Sequence, residues 1–358
     1  MNRVIFGGGF DPIHLGHINM ALAARDTLHA QVIFVPAKVA VWKNDSLDAV
    51  HKVKMIELAI NGLDGFSIDK FELEQEEQPY SITTIRYFKK KYQKDRLYLL
   101  IGQDQANSFH LWKEAEEIAK KAQIVYFKRP KYELNQTNID HFHMIAIEGR
   151  EVDVSSSDIR SLKSVLVPEK VLNYIEENNL YFINKIRGYI KESRFIHSLS
   201  VAHLAYRLAK KHAMDYNKAY IAGVLHDIAK GVDKNDSLTL MKKYYPDFVD
   251  IGAFAYHQFL GVKIAKEDFE VVDEDILNAI MYHTTGRKEM SSLEKLIYAA
   301  DKIDPTRDYD SSELINAMEN GVEEGFLTVL KANVDFLNKK HASINNKLTE
   351  ECINYYLK

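Results

Sequence analysis

Histidines and aspartates recur in apolar surroundings along the second half of the chain. The set consists of His197, His226, Asp227, His257, His283 and Asp301. Imidazole and carboxylate are ligands for divalent first-row metals, so this set predicts a metal site. Asp227 lies in "GVLHDIAKG", where a carboxylate without a partner would be costly to bury. Adjacent side chains diverge, so His226 and Asp227 could reach two metals or two sides of one. The alternative is that Asp227 orients His226 or caps a turn.

A glycine-rich string, "GGGFDPIHLGH" (7–17), carries a second group of residues suited to chemistry. An apolar run ends at Gly7, and glycine lets the backbone approach a ligand closely. His14 and His17 are three residues apart at a predicted helix start, where unpaired N–H groups favour an anion. The pattern is typical of a site for a nucleoside triphosphate.

The elements that must position these residues change character along the chain. Apolar runs predict strands at 3–7, 31–37, 97–102, 123–129 and 143–148, with helical patterns between them at 17–28, 48–61 and 80–92. Such alternation predicts a doubly wound parallel sheet with helices on both faces. After residue 182 almost every segment has helical periodicity, as in the apolar stripe of 201–209. We therefore expect an α/β domain over 1–184 followed by an all-α domain over 185–358.

Net charge, apolar run length and cysteine content limit the classes of partner that the chain is expected to bind. The net charge of −4 argues against bulk nucleic-acid binding, and no apolar run reaches membrane-spanning length. Cys352 is the single cysteine, which excludes a disulfide framework and fits a reducing compartment. The first residues do not read as a signal peptide. We expect a cytoplasmic protein that binds small molecules, with no nucleic acid or membrane partner. The oligomeric state is left open.

The first half resembles the HxGH nucleotidyltransferases, and specifically bacterial nicotinate-mononucleotide adenylyltransferases. The similarity is carried by "GGGFDPIHLGH" and then, in order, by "VPAKVAVWK" (35–43), "PYSITTI" (79–85), "IGQDQANSFHLW" (101–112) and "VSSSDIR" (154–160). It implies transfer of AMP from ATP to a mononucleotide with release of pyrophosphate. Catalysis in such a transfer is mostly positioning and charge stabilisation.

The resemblance also implies roles for single residues. His14 and His17 would hold the ATP phosphates, with Mg²⁺ assisting, and Asp104 would bind a ribose or orient its loop. Trp112 would stack on the nicotinate ring, unless it is a core aromatic. The remaining implied catalytic and substrate-binding residues are Gly8, Gly9, Phe10, Lys43, Thr84, Ser156, Ser157 and Arg160. Ser156 and Ser157 would cap a helix while binding phosphate, and Arg160 would add charge-assisted bonds.

This chain departs from the family pattern at three places. Residues 40–42 (Ala-Val-Trp) replace Pro-Pro-His before Lys43, Thr83 stands where the family has Asp, and Leu162 stands where it often has a second Arg. All three departures concern the mononucleotide half of the site, so the ATP half is better supported.

The second half resembles the HD phosphohydrolase superfamily over about 186–310. "RFIHSLSVAHLA", "HTTGR" and "MSSLEKLIYAADKIDPTR" are similar to the branch that hydrolyses diadenosine tetraphosphate symmetrically to two ADP. The resemblance implies that the six candidate ligands form a dinuclear site, with iron expected and manganese or other divalent ions as alternatives. Lys230, Arg287 and Arg307 would contact phosphate, whereas His203 and His212 are expected on helix surfaces.

Two alternatives keep the folds and change the function. The first is a pantetheine-phosphate or other adenylyl- or cytidylyltransferase joined to an HD 5′-nucleotidase or cyclic-nucleotide phosphodiesterase. Trp112, "VSSSDIR" and "HTTGR" favour the nicotinate and tetraphosphate branches instead. The second is that one half is a non-catalytic nucleotide sensor, against which the intact His14, His17 and six-ligand set argue.

Overall fold

A computed structural model describes residues 1–38, 47–128, 133–339 and 346–358. The chain divides into two compact units, each described by itself. The first unit comprises Met1–Ile159 and Leu166–Asn178, and the second comprises Arg160–Val165 and Asn179–Lys358. Among the helices in these ranges, none has the length and apolarity needed to cross a membrane. The functional limits 1–184 and 185–358 stay a prediction.

A six-stranded sheet with the order β3-β2-β1-β4-β5-β6 forms the centre of the first unit. The strands are β1 (Asn2–Gly8), β2 (Gln31–Pro36), β3 (Phe66–Ile68), β4 (Arg96–Gly102), β5 (Gln123–Phe127) and β6 (Ile145–Ile147). Every neighbouring pair is parallel, with Val4 opposite Val32 and Tyr98 on the two sides of β1. The chain order reverses between β1 and β4, and in open parallel sheets ligands bind at such a switch point, beyond the carboxyl ends of the strands.

Helices follow the strands of this unit. They are α1 (Leu15–Leu28), α2 (Ala49–Ile60), α3 (Ser81–Lys91), α4 (Gln103–Ser108), α5 (Ala115–Lys121), α6 (Gln136–His141), α7 (Ser156–Arg160) and α8 (Glu169–Glu177). A short 3-10 helix, Phe109–Leu111, follows α4. The central strands are continuous apolar runs because helices cover both faces of a parallel sheet. Val4, Val32 and Phe34 accordingly have no exposed surface.

The expected α/β architecture is confirmed. Five of the six strands fall on predicted apolar runs, although β6 is shorter than its run at 143–148. The missed strand is β3, whose three residues "FSI" are too few to show an alternating pattern.

The second unit has helices and no strand within its described residues. Its α-helices are α9 (Phe182–Arg187), α10 (Glu192–Lys211), α11 (Tyr216–Leu225), α12 (Lys234–Tyr244), α13 (Tyr256–Asp268), α14 (Glu274–Tyr282), α15 (Ser292–Ile303), α16 (Ser312–Asn320), α17 (Val322–Lys339) and α18 (Lys347–Tyr356). Two 3-10 helices span Ile228–Gly231 and Pro246–Ile251. The predicted change to an all-α second half is confirmed.

Close packing of α10 on α11 positions candidate ligands of the second unit. The predicted stripe on α10 is buried, with Val201, Ala205 and Leu208 at 0% exposure. Gly223 on α11 faces Ala202, and a Cβ at Gly223 would lie 2.7 Å from the Ala202 Cα. The glycine therefore lets the two helix backbones approach, which brings the histidine of α10 next to the end of α11.

Candidate active sites

The glycine turn of the first unit follows β1 directly. A Cβ at Gly8 would lie 2.9 Å from the Phe10 ring, so a larger residue at Gly8 would require this ring to move. Phe10 itself is buried and has a φ of 44°, the left-handed conformation that non-glycine residues seldom adopt. A Cβ at Gly9 would meet nothing within 4 Å, so the backbone borders open space there.

The two histidines of "HLGH" lie at the start of α1. His14 is the N-cap residue: its Nδ1 accepts from the backbone N–H of His17 at 3.4 Å, and His17 Nδ1 accepts from the N–H of His14 at 3.4 Å. The rings stack with centroids 3.6 Å apart. Because Nδ1 accepts in both rings, the neutral imidazole carries its proton on Nε2, which is the donor a phosphate oxygen needs. A Cβ at Gly16 would lie 3.0 Å from His14 Nδ1, which explains the glycine between them.

Asp104 lies across the switch point from this turn. β4 ends at Gly102, and Asp104 is exposed in the first turn of α4. A Cβ at Gly102 would lie 2.5 Å from Asp104 Oδ1, so this carboxylate sits directly over the end of the strand. The ends of β1 and β4 therefore bring together the histidines that sequence predicted for phosphate and the carboxylate predicted for ribose.

The structure places the other residues predicted for the first site in different environments. Thr84 is buried, and its hydroxyl donates to Glu72 Oε1 at 2.7 Å, so the structure gives it a core partner. Trp112 is half-buried against the core with its ring centroid 5.2 Å from that of Phe109, which fits both interpretations of this residue. Lys43 and the departures at 40–42 lie outside the described residues.

The helix at "VSSSDIR" starts at Ser156, but its cap was predicted wrongly. The capping box is formed by Ser155 and Asp158: the Ser155 hydroxyl accepts from Asp158 N–H at 3.1 Å, and Asp158 Oδ2 accepts from Ser155 N–H at 2.9 Å. Ser156 Oγ instead donates to the Pro12 carbonyl at 2.9 Å, which ties this helix to the glycine turn. Phosphate binding by Ser156, Ser157 and Arg160 stays a prediction.

The six candidate ligands of the second unit converge from five helices or their ends. His197 lies on α10, His226 and Asp227 follow α11, His257 lies on α13, His283 follows α14, and Asp301 lies on α15. Two overlapping triads have ligand atoms within 4.8 Å of one another: His197–His226–Asp227 and Asp227–His257–His283. The four histidines and Asp227 are buried, as the sequence predicted from their apolar neighbours.

The first half of this cluster surrounds two imidazole nitrogens. His197 Nε2 and His226 Nε2 lie 3.3 Å apart. Asp301 Oδ1 lies 3.2 and 3.6 Å from them, and Asp227 Oδ2 lies 3.8 and 3.5 Å from them. Such separations suit donor atoms that each lie about 2.1 Å from a common ion.

The second half shares the same aspartate. His257 Nε2 and His283 Nε2 lie 3.1 Å apart, and Asp227 Oδ1 lies 3.3 and 3.4 Å from them. Thr284, which the sequence analysis did not single out, places Oγ1 at 3.0 and 2.9 Å from these nitrogens. One oxygen of Asp227 faces each imidazole pair. This is the arrangement of a carboxylate that bridges two cation positions, and it accounts for an adjacent His and Asp in an apolar helix end.

Hydrogen bonds on the far side of the rings orient three of the imidazoles. His226 Nδ1 donates to the Gly223 carbonyl and His283 Nδ1 to the Ile280 carbonyl, both at 2.7 Å. His197 Nδ1 donates to Asp304 Oδ2 at 2.8 Å. Each bond holds the proton on Nδ1 and leaves Nε2 as a lone-pair donor toward the cluster. Asp304 was missed in the sequence, although it lies three residues after Asp301 on the same helix end.

The electrostatics of the cluster favour bound cations. Burial alone would raise the pKa of Asp227, but the imidazoles of His226 and His283 outweigh it and hold the pKa well below its usual range. Burial is likewise outweighed at Asp301, where Lys302, His197 and His226 lower the pKa. Burial and the neighbouring His283 lower the pKa of His257. Burial lowers the pKa of His226, but Asp227 and Asp301 outweigh it and raise the pKa to about 10. Ionised carboxylates and imidazoles that give up a proton on binding are ligand types of a divalent metal.

Arginines lie at the rim of the cluster. Arg194, which the sequence analysis missed, donates from Nη1 to Asp227 Oδ2 at 2.8 Å. Arg307 Nη2 donates to Asp301 Oδ1 at 2.7 Å, and its expected contact with phosphate stays a prediction. Lys230 is exposed immediately after the buried "HDIA" segment.

Arg287 has a structural partner. Its Nε and Nη2 donate to Glu294 Oε1 and Oε2 at 2.6 and 2.8 Å, and Glu294 is only 1% exposed. Glu294 also belongs to the capping box of α15 with Ser291. The "HTTGR" arginine therefore holds the loop after α14 to the start of α15. Its predicted contact with phosphate stays a prediction.

Known proteins match each unit separately and the chain as a whole. Residues 5–162 match the family described as Cytidylyltransferase-like, and residues 194–306 match the HD domain family. A Mycoplasma pneumoniae protein named "Probable nicotinate-nucleotide adenylyltransferase/Ap4A hydrolase" is 30% identical over 311 residues, covering 85% of this chain and 89% of that protein. The Mycoplasma genitalium protein of the same name is 29% identical over 343 residues, covering 92% and 96%. A Staphylococcus aureus protein named "Bis(5'-nucleosyl)-tetraphosphatase, symmetrical" is 35% identical over 172 residues, covering 47% and 88%.

The fold and the two sites thus define a chain in which a nucleotidyltransferase-type domain precedes an HD domain, and both resemblances expected from the sequence are confirmed. The chain belongs to the family of the two mycoplasma proteins, because the similarity to them extends across both units.

Proposed function

We propose that this chain is a bifunctional nucleotide enzyme. The first site transfers AMP from ATP to nicotinate mononucleotide, giving nicotinate adenine dinucleotide and pyrophosphate. The second site hydrolyses diadenosine tetraphosphate symmetrically to two ADP. The observation that carries the hydrolase is Asp227, whose two carboxylate oxygens face two separate imidazole pairs. The names of the relatives that align with both units support the pairing of activities.

The second site has the ligands for two divalent cations. His197, His226 and Asp301 would hold one, His257 and His283 the other, and Asp227 would bridge them. When bound, such a pair supplies Lewis acidity that polarises phosphoryl oxygens and makes water a stronger nucleophile. Iron is the metal we propose, since mixed imidazole and carboxylate sets bind iron and manganese. Arg194 and Arg307, which already contact the bridging and terminal carboxylates, are placed to neutralise charge on the central phosphates of the substrate.

The first site has the parts of an anion-positioning centre. His14 and His17 present Nε2 donors at the start of α1, where the helix dipole also favours phosphate. Asp104 at the start of α4 would bind ribose, and Trp112 would pack against the nicotinate ring. We propose Mg²⁺ as the companion of ATP, because magnesium is usually bound through substrate phosphates and few carboxylates. The domain limits proposed for the two activities are 1–184 and 185–358, and the proposed compartment is the cytoplasm.

Product analysis on one preparation tests both halves of the proposal. Metal-loaded protein is incubated with ATP plus nicotinate mononucleotide, and separately with diadenosine tetraphosphate. We expect nicotinate adenine dinucleotide with pyrophosphate in the first reaction, and ADP as the sole nucleotide product in the second. Formation of ATP plus AMP from the tetraphosphate would contradict symmetrical cleavage. Transfer with a different mononucleotide in preference to nicotinate mononucleotide would overturn the substrate of the first site.

A further inference from the structure

A cavity of about 560 Å³ lies beside the metal-ligand cluster of the second unit. Its lining includes Lys302, Arg307, Tyr309, Val329, Asn333 and Phe336. The volume is in the range of small-molecule sites, which is roughly 300–1,000 Å³. None of these residues is among the six candidate ligands, so the cavity is distinct from the ligand cluster that it adjoins.

The cavity and the cluster share a wall. Arg307 Nη2 donates to Asp301 Oδ1 at 2.7 Å, and Lys302 Nζ lies 3.3 Å from Asp301 Oδ2. Asp301 Oδ1 in turn lies 3.2 Å from His197 Nε2. A ligand in the cavity is therefore separated from the metal ligands by one layer of cationic side chains. An anionic chain leaving the cavity would pass those cations first.

Aromatic rings border the cavity at its solvent side. Tyr309 is 50% exposed and Phe336 is 52% exposed, so both rings are accessible to a ligand in the cavity. Val329 forms a buried wall, and Val329, Asn333 and Phe336 follow the spacing i, i+4, i+7 on one face of α17. The Tyr309 hydroxyl donates to the Lys302 carbonyl, which fixes the position of its ring. Such a wall suits a flat heterocycle.

A polar group in the cavity can recognise the edge of that heterocycle. Asn333 lines the cavity, and its Nδ2 donates to the Tyr298 hydroxyl at 3.1 Å. Within the described part of the chain, Asn333 Oδ1 has no hydrogen-bond partner. It is an acceptor in a largely apolar cavity, where an exocyclic amine would satisfy it.

We propose that this cavity binds one purine base of the dinucleotide substrate. The base packs against Tyr309 and Phe336, and its exocyclic amine donates to Asn333 Oδ1. The ribose and phosphates then run past Arg307 toward the metal ligands, which sets how far along the phosphate chain cleavage occurs. This inference rests on the proposed hydrolase function for the identity of the substrate.

Photolabelling locates the base without requiring turnover. Full-length, metal-loaded protein is irradiated with 8-azido-ADP, and labelled peptides are identified by mass spectrometry. We expect label in the second unit within 303–336, removed by excess ADP. Labelling of the second unit only at other segments, or no labelling of it, would overturn the proposal. Photolabelling tests base binding whether or not the protein hydrolyses diadenosine tetraphosphate. Failure to hydrolyse the tetraphosphate would instead overturn the proposed function.

Steady-state kinetics measure how much the Phe336 ring contributes to substrate binding. Stacking of a base on an aromatic side chain is worth roughly 1–3 kcal/mol, so Phe336→Ala should lower kcat/KM for the tetraphosphate by about 5- to 150-fold, mainly through KM. Inhibition by inorganic tripolyphosphate, which has no base, should be unchanged. Leu327→Ala is the matched control, since Leu327 lies on the same helix, is 37% exposed and does not line the cavity. An unchanged KM in Phe336→Ala, or an equal loss of tripolyphosphate inhibition, would contradict base binding.

Discussion

Replacing Asp304 by Asn tests whether the far side of His197 controls the metal site. Asp304 is fully buried and accepts from His197 Nδ1 at 2.8 Å through Oδ2. Its other oxygen, Oδ1, accepts from the Thr306 N–H at 2.9 Å and the Thr306 hydroxyl at 2.6 Å. Two donors at Oδ1 require an oxygen there, so the asparagine NH₂ would occupy the Oδ2 position. That NH₂ would face His197 Nδ1 and favour the tautomer with its proton on Nε2, toward the metal.

The expected loss follows from this change of tautomer. Removing such a supporting carboxylate costs about 10- to 100-fold in metal affinity, which is about 1.4–2.7 kcal/mol. Burial favours the protonated carboxyl, but hydrogen bonds from His197, Thr306 and Ser200 outweigh it and lower the pKa of Asp304 to about 2. Asp304 is therefore ionised throughout the usual assay range, and the effect of the substitution should not fade between about pH 6 and pH 8.

Competition with a metal chelator measures the affinity, and circular dichroism checks that the variant is folded. Asp310→Asn is the matched control, because Asp310 is exposed and its carboxylate accepts locally, from the Ser312 N–H at 2.9 Å. A folded Asp304→Asn protein that binds metal within twofold of the wild type would refute the reasoning.

Three further substitutions address the first unit. His17→Ala should lower adenylyl transfer by about 10²–10³-fold and spare hydrolysis, as measured by the two product assays; near-wild-type transfer would remove its phosphate role. Trp112→Ala should weaken nicotinate mononucleotide by roughly 1–3 kcal/mol and ATP much less; equal KM changes for both substrates would assign Trp112 to the core. Burial lowers the pKa of Lys52 against the opposing effect of Asp11, so the folded state disfavours its charge. Lys52→Met should therefore stabilise the first unit at pH 7, with a gain that shrinks as pH rises toward the ordinary lysine pKa of about 10.4; a lower melting temperature at pH 7 would contradict this.

Local sequence patterns sufficed to predict most strands and helices and to single out the candidate residues of both sites. Continuous apolar runs marked the central strands because both faces of the sheet are covered. The clustering of the candidate ligands in the second unit could be anticipated because polar groups such as His226 and Asp227 are expensive to bury among apolar neighbours without partners. The cap of α7 was misplaced by one residue because Ser155, Ser156 and Ser157 are chemically equivalent in the sequence. Only the folded turn shows that Asp158 reaches back to Ser155.

The supporting residues could not be predicted because they depend on which helices meet. Asp304 contacts His197 from 107 positions away in the chain, and no local pattern encodes that distance. Arg194 lies one turn before His197, so only the direction of its helix shows that it reaches Asp227. The placement of Asp227 between two imidazole pairs likewise depends on helices α10, α11, α13 and α14 meeting in the folded unit.

Metal stoichiometry tests the dinuclear, Asp227-bridged site most directly. Native mass spectrometry of the reconstituted protein should show two metal ions per chain in the second unit. Asp301→Ala, which removes a ligand from one half, should retain one ion, whereas Asp227→Ala, which removes the bridge, should lose both together with hydrolysis while adenylyl transfer persists. A wild-type chain that saturates at one ion, or a folded Asp227→Ala chain that retains two, would contradict the bridged site.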